Sequence, residues 1–240
     1  MKMNPYQKMM SRKRVWTPVQ TTAGTCKDGS KETLRRVIAL RHMEVPVGDF
    51  ITDALTNEVP EMARELLISN VADEQKHDMA LNFIASAFGT DDKAEREALA
   101  LREAWTTHPD HTLLKAMVAE RAIFFVLLPF LRFNGDAGMR TVSADISRDE
   151  QIHVGSNSLV CEELGLTWSP SLDKLRKATI NWVMEPLGTN TTDRNLDKKF
   201  WLKSSDNLMY TGKAPELSET RAARMPSFFE HNNVNLPQYA

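Results

Sequence analysis

Apolar residues recur along most of this chain at the three-and-four spacing of a helix that buries one face, with no strand-like alternation of any length. Leu34, Val37, Ile38, Leu40 and Val45 outline a first long helix, with Ser30 placed to cap it and an end near residue 57. Pro46 falls inside that pattern, so a kink or unwound turn is expected two residues past Glu44. Pro60 opens a second helix and Gly89 closes it; Leu66, Leu67, Asn70, Glu74, His77, Leu81 and Ile84 form its inward stripe. A shorter charged helix over 92–106 should lie on the surface, anchored by Leu99 and Trp105. Asp110 stands ready to cap a very apolar helix through Met117, Glu120, Phe124 and Leu127, bent by Pro129 and followed by Gly135. A further helix covers about 137–163 and ends at Gly165, and Ser169-Pro170 begins one that Pro186 and Gly188 stop near 185. The pattern predicts an all-α fold. It has an N-terminal arm over 1–29 anchored by Trp16, a helical bundle over 30–188, and a partly ordered tail over 189–240 whose sizeable anchors are Phe200, Trp201, Phe228 and Phe229.

Composition narrows the class without naming it. A chain of 240 residues, 42% hydrophobic and 26% charged, suits one soluble globular domain with tails. The net charge of -2 argues against a nucleic-acid partner, which calls for a basic excess. Cys26 and Cys161 are too few for a disulfide framework and too far apart for a zinc knuckle, which fits a reducing, cytoplasmic setting. The first residues lack the apolar stretch of a signal peptide, and the longest apolar run, Ala122 to Leu131, is too short to span a membrane.

One phrase occurs twice: Asp73-Glu74-Gln75-Lys76-His77 and Asp149-Glu150-Gln151-Ile152-His153. Glu and His three apart share a helical face, so each pair can reach one point in the core. Two such pairs, joined by one carboxylate from each of two other helices, make the di-metal site of a four-helix bundle. Glu120 supplies one of these, because a lone Glu in so apolar a helix is costly to bury unless it is paired with a charge such as Arg121 or Arg132, or binds a metal. Glu44 is the preferred fourth carboxylate, with Asp49 and Asp53 as alternatives on the same helix, because Glu44 precedes Glu74 by the same 30 residues that separate Glu120 from Glu150. Carboxylate and imidazole donors without thiolate suit iron or manganese. Asp149 is placed to accept a hydrogen bond from a ligand imidazole; Asp73 could do the same or be a helix-surface charge.

These residues resemble a known family. Ser147 to His153 looks like the last metal-ligand helix of the class I ribonucleotide reductase small (β) subunit, and Glu120 to Phe125 like the helix before it. Val15-Trp16-Thr17-Pro18 is similar to the family's N-terminal Trp-x-Pro segment, and Ser227-Phe228-Phe229-Glu230 to the start of its C-terminal tail. The resemblance implies a ferritin-like helical bundle that acts as a homodimer with a large (α) subunit. There it would start the reduction of ribonucleotides with a one-electron oxidant built at a dinuclear metal centre. By position it implies metal ligands Glu44, Glu74, His77, Glu120, Glu150 and His153, a relay from Trp16 through Asp149 and His77, and a tail relay at Tyr239.

Two departures qualify it. The family commonly stores its radical on a tyrosine four residues after the first ligand His, and here that position is Leu81. The chain's three tyrosines, Tyr6, Tyr210 and Tyr239, lie outside the predicted bundle, so no buried tyrosyl radical is expected. The oxidant would then reside on the metals, which favours Mn/Mn or Mn/Fe, with Fe/Fe also accepted by these ligands. His77 and Glu120 are only 43 residues apart, which implies that family helices between them are trimmed. The competing expectations are a stand-alone ferritin-like di-metal oxidase or oxygenase acting on a small molecule, and an iron-storage protein.

Overall fold

The structure, a computed structural model, describes residues 3–57 and 59–218. Among these residues the regular structure is helical: α1 (Pro5–Met10), α2 (Lys31–Ala39), α3 (Glu44–Thr56), α4 (Arg64–Phe88), α5 (Asp92–Thr106), α6 (Thr112–Ala119), α7 (Phe125–Asn134), α8 (Ala137–Glu163), α9 (Pro170–Met184), α10 (Lys198–Thr211) and α11 (Pro215–Ser218). No described helix is long and apolar enough to cross a membrane.

The core is a closed ring of long helices. α3 packs on α4, α4 on α8, α8 on α6 and α7, and α6 returns to α3. Between α6 and α7 the chain makes a π-helical turn over Glu120–Phe124, so helical structure runs on from one to the other through a widened turn. The inward stripe read from α4 is buried throughout, from Leu66 to Ile84. α1 crosses α8 and α4, whereas α2, α5, α9 and α10 pack around the outside of the ring.

Several local expectations are corrected. The unwound turn lies at Leu40–Met43, a 3-10 segment before Glu44 and not after it. Proline has no N–H for the carbonyl four residues earlier and crowds it with its ring, so Pro46 disturbs the turn around His42. Val45, read as part of the buried pattern, is exposed. Leu99 is 37% exposed; Ala94, Ala98 and Trp105 bury α5 instead, with the Trp105 indole donating to Thr179 Oγ1 at 3.0 Å. Asp110 does not cap α6. Its carboxylate accepts from the Ser169 N–H at 2.8 Å, and the cap is His111, whose Nδ1 accepts from the Leu113 N–H at 3.1 Å. Ser30 occupies the cap position of α2, yet its hydroxyl donates to the Lys27 carbonyl and not to the helix.

The largest difference is α10, which forms in a stretch read as having little regular structure. Its buried stripe is Trp201, Ser204, Ser205, Leu208 and Met209. Two inward serines broke the hydrophobic pattern that would have revealed it. Trp201 is fully buried, edge-on to Phe130 at 5.1 Å and to Phe133 at 5.8 Å. This places α10 against α7 and the π-helical turn, near the functional cluster.

Candidate metal centre

Four segments aim acidic and imidazole side chains into the ring. Glu44 is the first residue of α3, Glu74 and His77 lie one turn apart on α4, Glu120 opens the π-helical turn, and Glu150 and His153 lie one turn apart on α8. Each of the six is at most 1% exposed, so water at the surface cannot satisfy them. Asp49 and Asp53, the alternatives to Glu44, are exposed. The Glu120 carboxylate accepts from Asn157 Nδ2 at 2.6 Å, while Arg121 donates instead to the Leu208 carbonyl.

The donors form two overlapping sets. His77 Nδ1 lies 3.6 Å from Glu44 Oε2, 3.5 Å from Glu74 Oε2 and 3.3 Å from Glu150 Oε1. His153 Nδ1 lies 3.0 Å from Glu74 Oε1, 3.7 Å from Glu120 Oε1 and 3.7 Å from Glu150 Oε2. Glu74 and Glu150 therefore present one oxygen to each imidazole, whereas Glu44 serves only His77 and Glu120 only His153. Glu74, His77, Glu150 and His153 each offer a ligand atom within 4.8 Å of the others, a group that could hold a metal ion. Both oxygens of Glu74 and of Glu150, Glu44 Oε2, Glu120 Oε1 and both Nδ1 atoms are buried without a hydrogen-bond partner. Leaving one such group unpaired costs about 1–3 kcal/mol, more when it is charged. Orphaned atoms that all face one point, on side chains otherwise well packed, are the donor set a cation needs.

The outward edges of both imidazoles are satisfied, and they are satisfied crosswise. His77 Nε2 on α4 lies 3.2 Å from Asp149 Oδ2 on α8; His153 Nε2 on α8 lies 3.1 Å from Asp73 Oδ2 on α4. A carboxylate at Nε2 fixes the proton there and leaves the Nδ1 lone pair directed inward. Asp73, left open between two roles by the sequence, thus mirrors Asp149. The N-terminal arm completes both pairs. Trp16 Nε1 donates to Asp149 Oδ2 at 2.7 Å and the ring stacks on His77, centroids 6.2 Å apart and 19° from parallel. Lys13 Nζ reaches Asp73 at 2.5 Å and also donates to Ser69 and Asn70. Lys76 lies between the two, 2.6 Å from Asp73 Oδ1 and 3.7 Å from Asp149 Oδ2, with its ammonium 5.3 Å from the Trp16 ring centroid.

Electrostatics divide the site. Burial pushes the Glu44, Glu120 and Glu150 carboxyls up, with neighbouring glutamates adding to the rise. Burial acts upward on Glu74 too, but the attraction of the adjacent His153 and His77 imidazoles outweighs it and holds Glu74 down, at about 2. Burial alone would lower both imidazoles; the surrounding carboxylates, Asp149 foremost for His77 and Glu150 for His153, raise them well above the ordinary value. Asp73 and Asp149 remain below the usual carboxylate range despite burial, because His153 and His77 donate to them. Without a cation the inner cluster keeps protons that a divalent ion would displace.

Leu81 is buried one turn beyond His77. Among the described tyrosines, Tyr6 is buried on α1 and Tyr210 is exposed on α10; neither contributes to the cluster. Tyr239 and the Ser227–Glu230 segment lie outside the described residues. Sequence reasoning missed Lys13, Lys76 and Asn157. Asn157, four residues past His153, and Lys76, three past Asp73, carried the signal of helical spacing; Lys13 carried none. The chain matches no family model, no curated protein and no solved structure.

Proposed function

We propose that this chain is a ferritin-like di-metal protein that serves as the radical-generating small subunit of a class I ribonucleotide reductase. In this reading Glu44 and His77 would hold one ion and Glu120 and His153 the other, with Glu74 and Glu150, which face both imidazoles, serving both. Both donor sets, oxygen-rich with a single imidazole, suit manganese or iron, and the absence of a tyrosine at Leu81 favours a pair that contains manganese. When bound, such a pair supplies oxidising power drawn from oxygen.

The observation that carries the proposal is the hydrogen-bonded run from Trp16 Nε1 through Asp149 Oδ2 to His77 Nε2, at 2.7 and 3.2 Å. An indole is an oxidisable side chain, and losing an electron makes its N–H strongly acidic. Asp149 is the base positioned to take that proton at Oδ2, so charge need not build up on the ring. His77 holds Asp149 from the other side, and Lys76 over the indole face limits how far positive charge can settle there. A storage protein or a self-contained oxygenase has no need for an oxidisable residue linked in this way. The large (α) subunit, a homodimeric state, a cytoplasmic setting and a relay role for Tyr239 follow from the same reading.

The test loads the protein with manganese and iron, separately and together, and assays ribonucleotide reduction with a class I large subunit. Elemental analysis and electron paramagnetic resonance after oxidation report the metals and any radical. Trp16→Phe should abolish reduction while both ions stay bound; normal turnover in that variant would remove Trp16 from the relay. Removing residues 225–240 should also stop nucleotide reduction with the metals intact. Oxygen consumption on a small substrate, unchanged by that truncation, would favour the oxidase reading instead.

A further inference from the structure

α10, the helix that sequence periodicity did not reveal, touches the metal centre indirectly through the π-helical turn that carries Glu120. In this turn the Phe125 N–H reaches back five residues to the Glu120 carbonyl, which widens the helix at the residue that carries the carboxylate. Turns of this kind are uncommon and need outside contacts to persist, since a regular α-helix satisfies the same backbone groups. Two such contacts come from α10, and a bond from α9 braces the first of them. Ser205 Oγ donates to the Ala122 carbonyl, inside the turn, at 2.6 Å. Arg176 Nη1 donates to Ser205 Oγ at 2.7 Å. Arg121 Nε donates to the Leu208 carbonyl at 2.8 Å.

The directions of these bonds matter. Arg176 can only donate, so it occupies an acceptor site on the Ser205 oxygen and leaves the hydroxyl hydrogen for Ala122. Arg176 is itself fixed by Asp173 and Asp206 at 2.6 and 2.8 Å and is 1% exposed. Gly212 ends α10 at φ +68, and a Cβ there would come within 2.8 Å of Arg121 Nη2, so the helix end is shaped around Arg121. Glu120 therefore has two separate constraints. Asn157 holds Oε2, and the braced turn sets the backbone from which Oε1 is aimed toward His153.

We propose that Ser205, aimed by Arg176, is a positioning residue for Glu120, and that it sets the affinity and coordination of the ion on the His153 side without touching it. The inference rests on the dinuclear reading above. It requires the two ions to respond differently: Glu44 and His77 are carried by α3 and α4, which Ser205 does not brace.

The experiment titrates Co2+ into full-length protein and into Ser205→Ala and Ser205→Thr variants. Affinity is read by chelator competition, and coordination number by the visible absorption of each bound ion. Wild type should bind two ions. Ser205→Ala should weaken one of them about 10–100-fold, the range seen when an outer partner of a metal ligand is lost, and alter that ion's absorption only. Ser205→Thr, which keeps the hydroxyl, should restore both. Two ions bound by Ser205→Ala as tightly as by wild type, an equal loss at both ions, or a Thr variant no better than Ala would overturn the proposal. Should Ser205→Ala not fold, Arg176→Lys leaves the hydroxyl but removes the fork that aims it. A loss confined to one ion then supports the assignment, and wild-type affinity for both overturns it. A wild-type protein that takes up fewer than two ions removes the dinuclear reading, and this inference with it. Two ions bound by wild type and unchanged in the variants remove this inference alone.

Discussion

At the scale of single residues, the cluster separates groups that would meet a cation from groups that would only make its ligands better donors. Glu150→Ala takes away a donor that faces both imidazoles, so no ion should survive dialysis, as read by elemental analysis; His153→Ala should abolish binding on its own side. Asp149→Asn is subtler. An amide oxygen can still accept from His77 and Trp16, so the geometry survives, but the negative charge that strengthens the imidazole is gone. Metal affinity should fall about 10–100-fold in a chelator competition, and unchanged affinity would reduce Asp149 to a spacer. The donors were legible in the sequence because the phrase Asp-Glu-Gln-x-His repeats on two amphipathic helices, and helical spacing turns a repeat into a shared direction. Lys13 was not legible. It lies in an arm without periodicity, and only the fold brings it to Asp73.

At the scale of elements, the entry of the chain into α3 depends on α5. The 3-10 turn before Glu44 is tied down by Glu95, which receives Arg41 in a two-point pair at 2.7 and 3.0 Å and His42 at 2.6 Å, while Arg41 also donates to Asn82 at 2.8 Å. Partial burial would push the Glu95 carboxyl up, but the hydrogen bonds from Arg41 and His42 prevail and hold it below its ordinary value. A carboxylate depressed in the folded state stabilises the protein above the unfolded-chain pKa, and that contribution is lost as pH falls through the folded one. Glu95→Gln should therefore cost about 1–2 kcal/mol at pH 7, discounted for partial exposure, and the gap from wild type should close as pH falls below about 4. Thermal or urea unfolding of both proteins across that range checks it, and a gap independent of pH would contradict the charge-based account. Pro46 announced a disturbance here but not its side, because the clash acts on the carbonyl four residues earlier. α10 was hidden for another reason: Ser204 and Ser205 are buried for the hydrogen bonds they make, and a hydrophobic pattern cannot register that.

At the scale of the whole molecule, the ring of helices converges on buried carboxylate and imidazole atoms that could hold a metal ion, and if they do, stability and metal content should be linked. An ion that binds the folded chain and not the unfolded one adds about 4 kcal/mol at a free concentration a thousandfold above its dissociation constant. For a chain of this size that is a rise in melting temperature of roughly 8–16 °C. The linkage should weaken with acid, since His77, His153 and the raised carboxyls of Glu44 and Glu120 must give up protons before they can coordinate. Calorimetric scans with Mn2+, with Fe2+ under anaerobic conditions and with a chelator should show the rise at pH 7 and a smaller one at pH 5. The arm supplies a control within the same molecule. Lys13 and Trp16 hydrogen-bond the outer aspartates, and Trp16 stacks on the His77 ring without offering a ligand atom itself, so deleting residues 1–16 should lower the melting temperature of both loaded and metal-free protein, and the ion-dependent increment should shrink without vanishing. An increment lost entirely on that deletion would make the arm part of the binding site itself. A melting temperature indifferent to metal in the full chain would mean that the buried carboxylates are held by protons alone, and the dinuclear centre would fall with it.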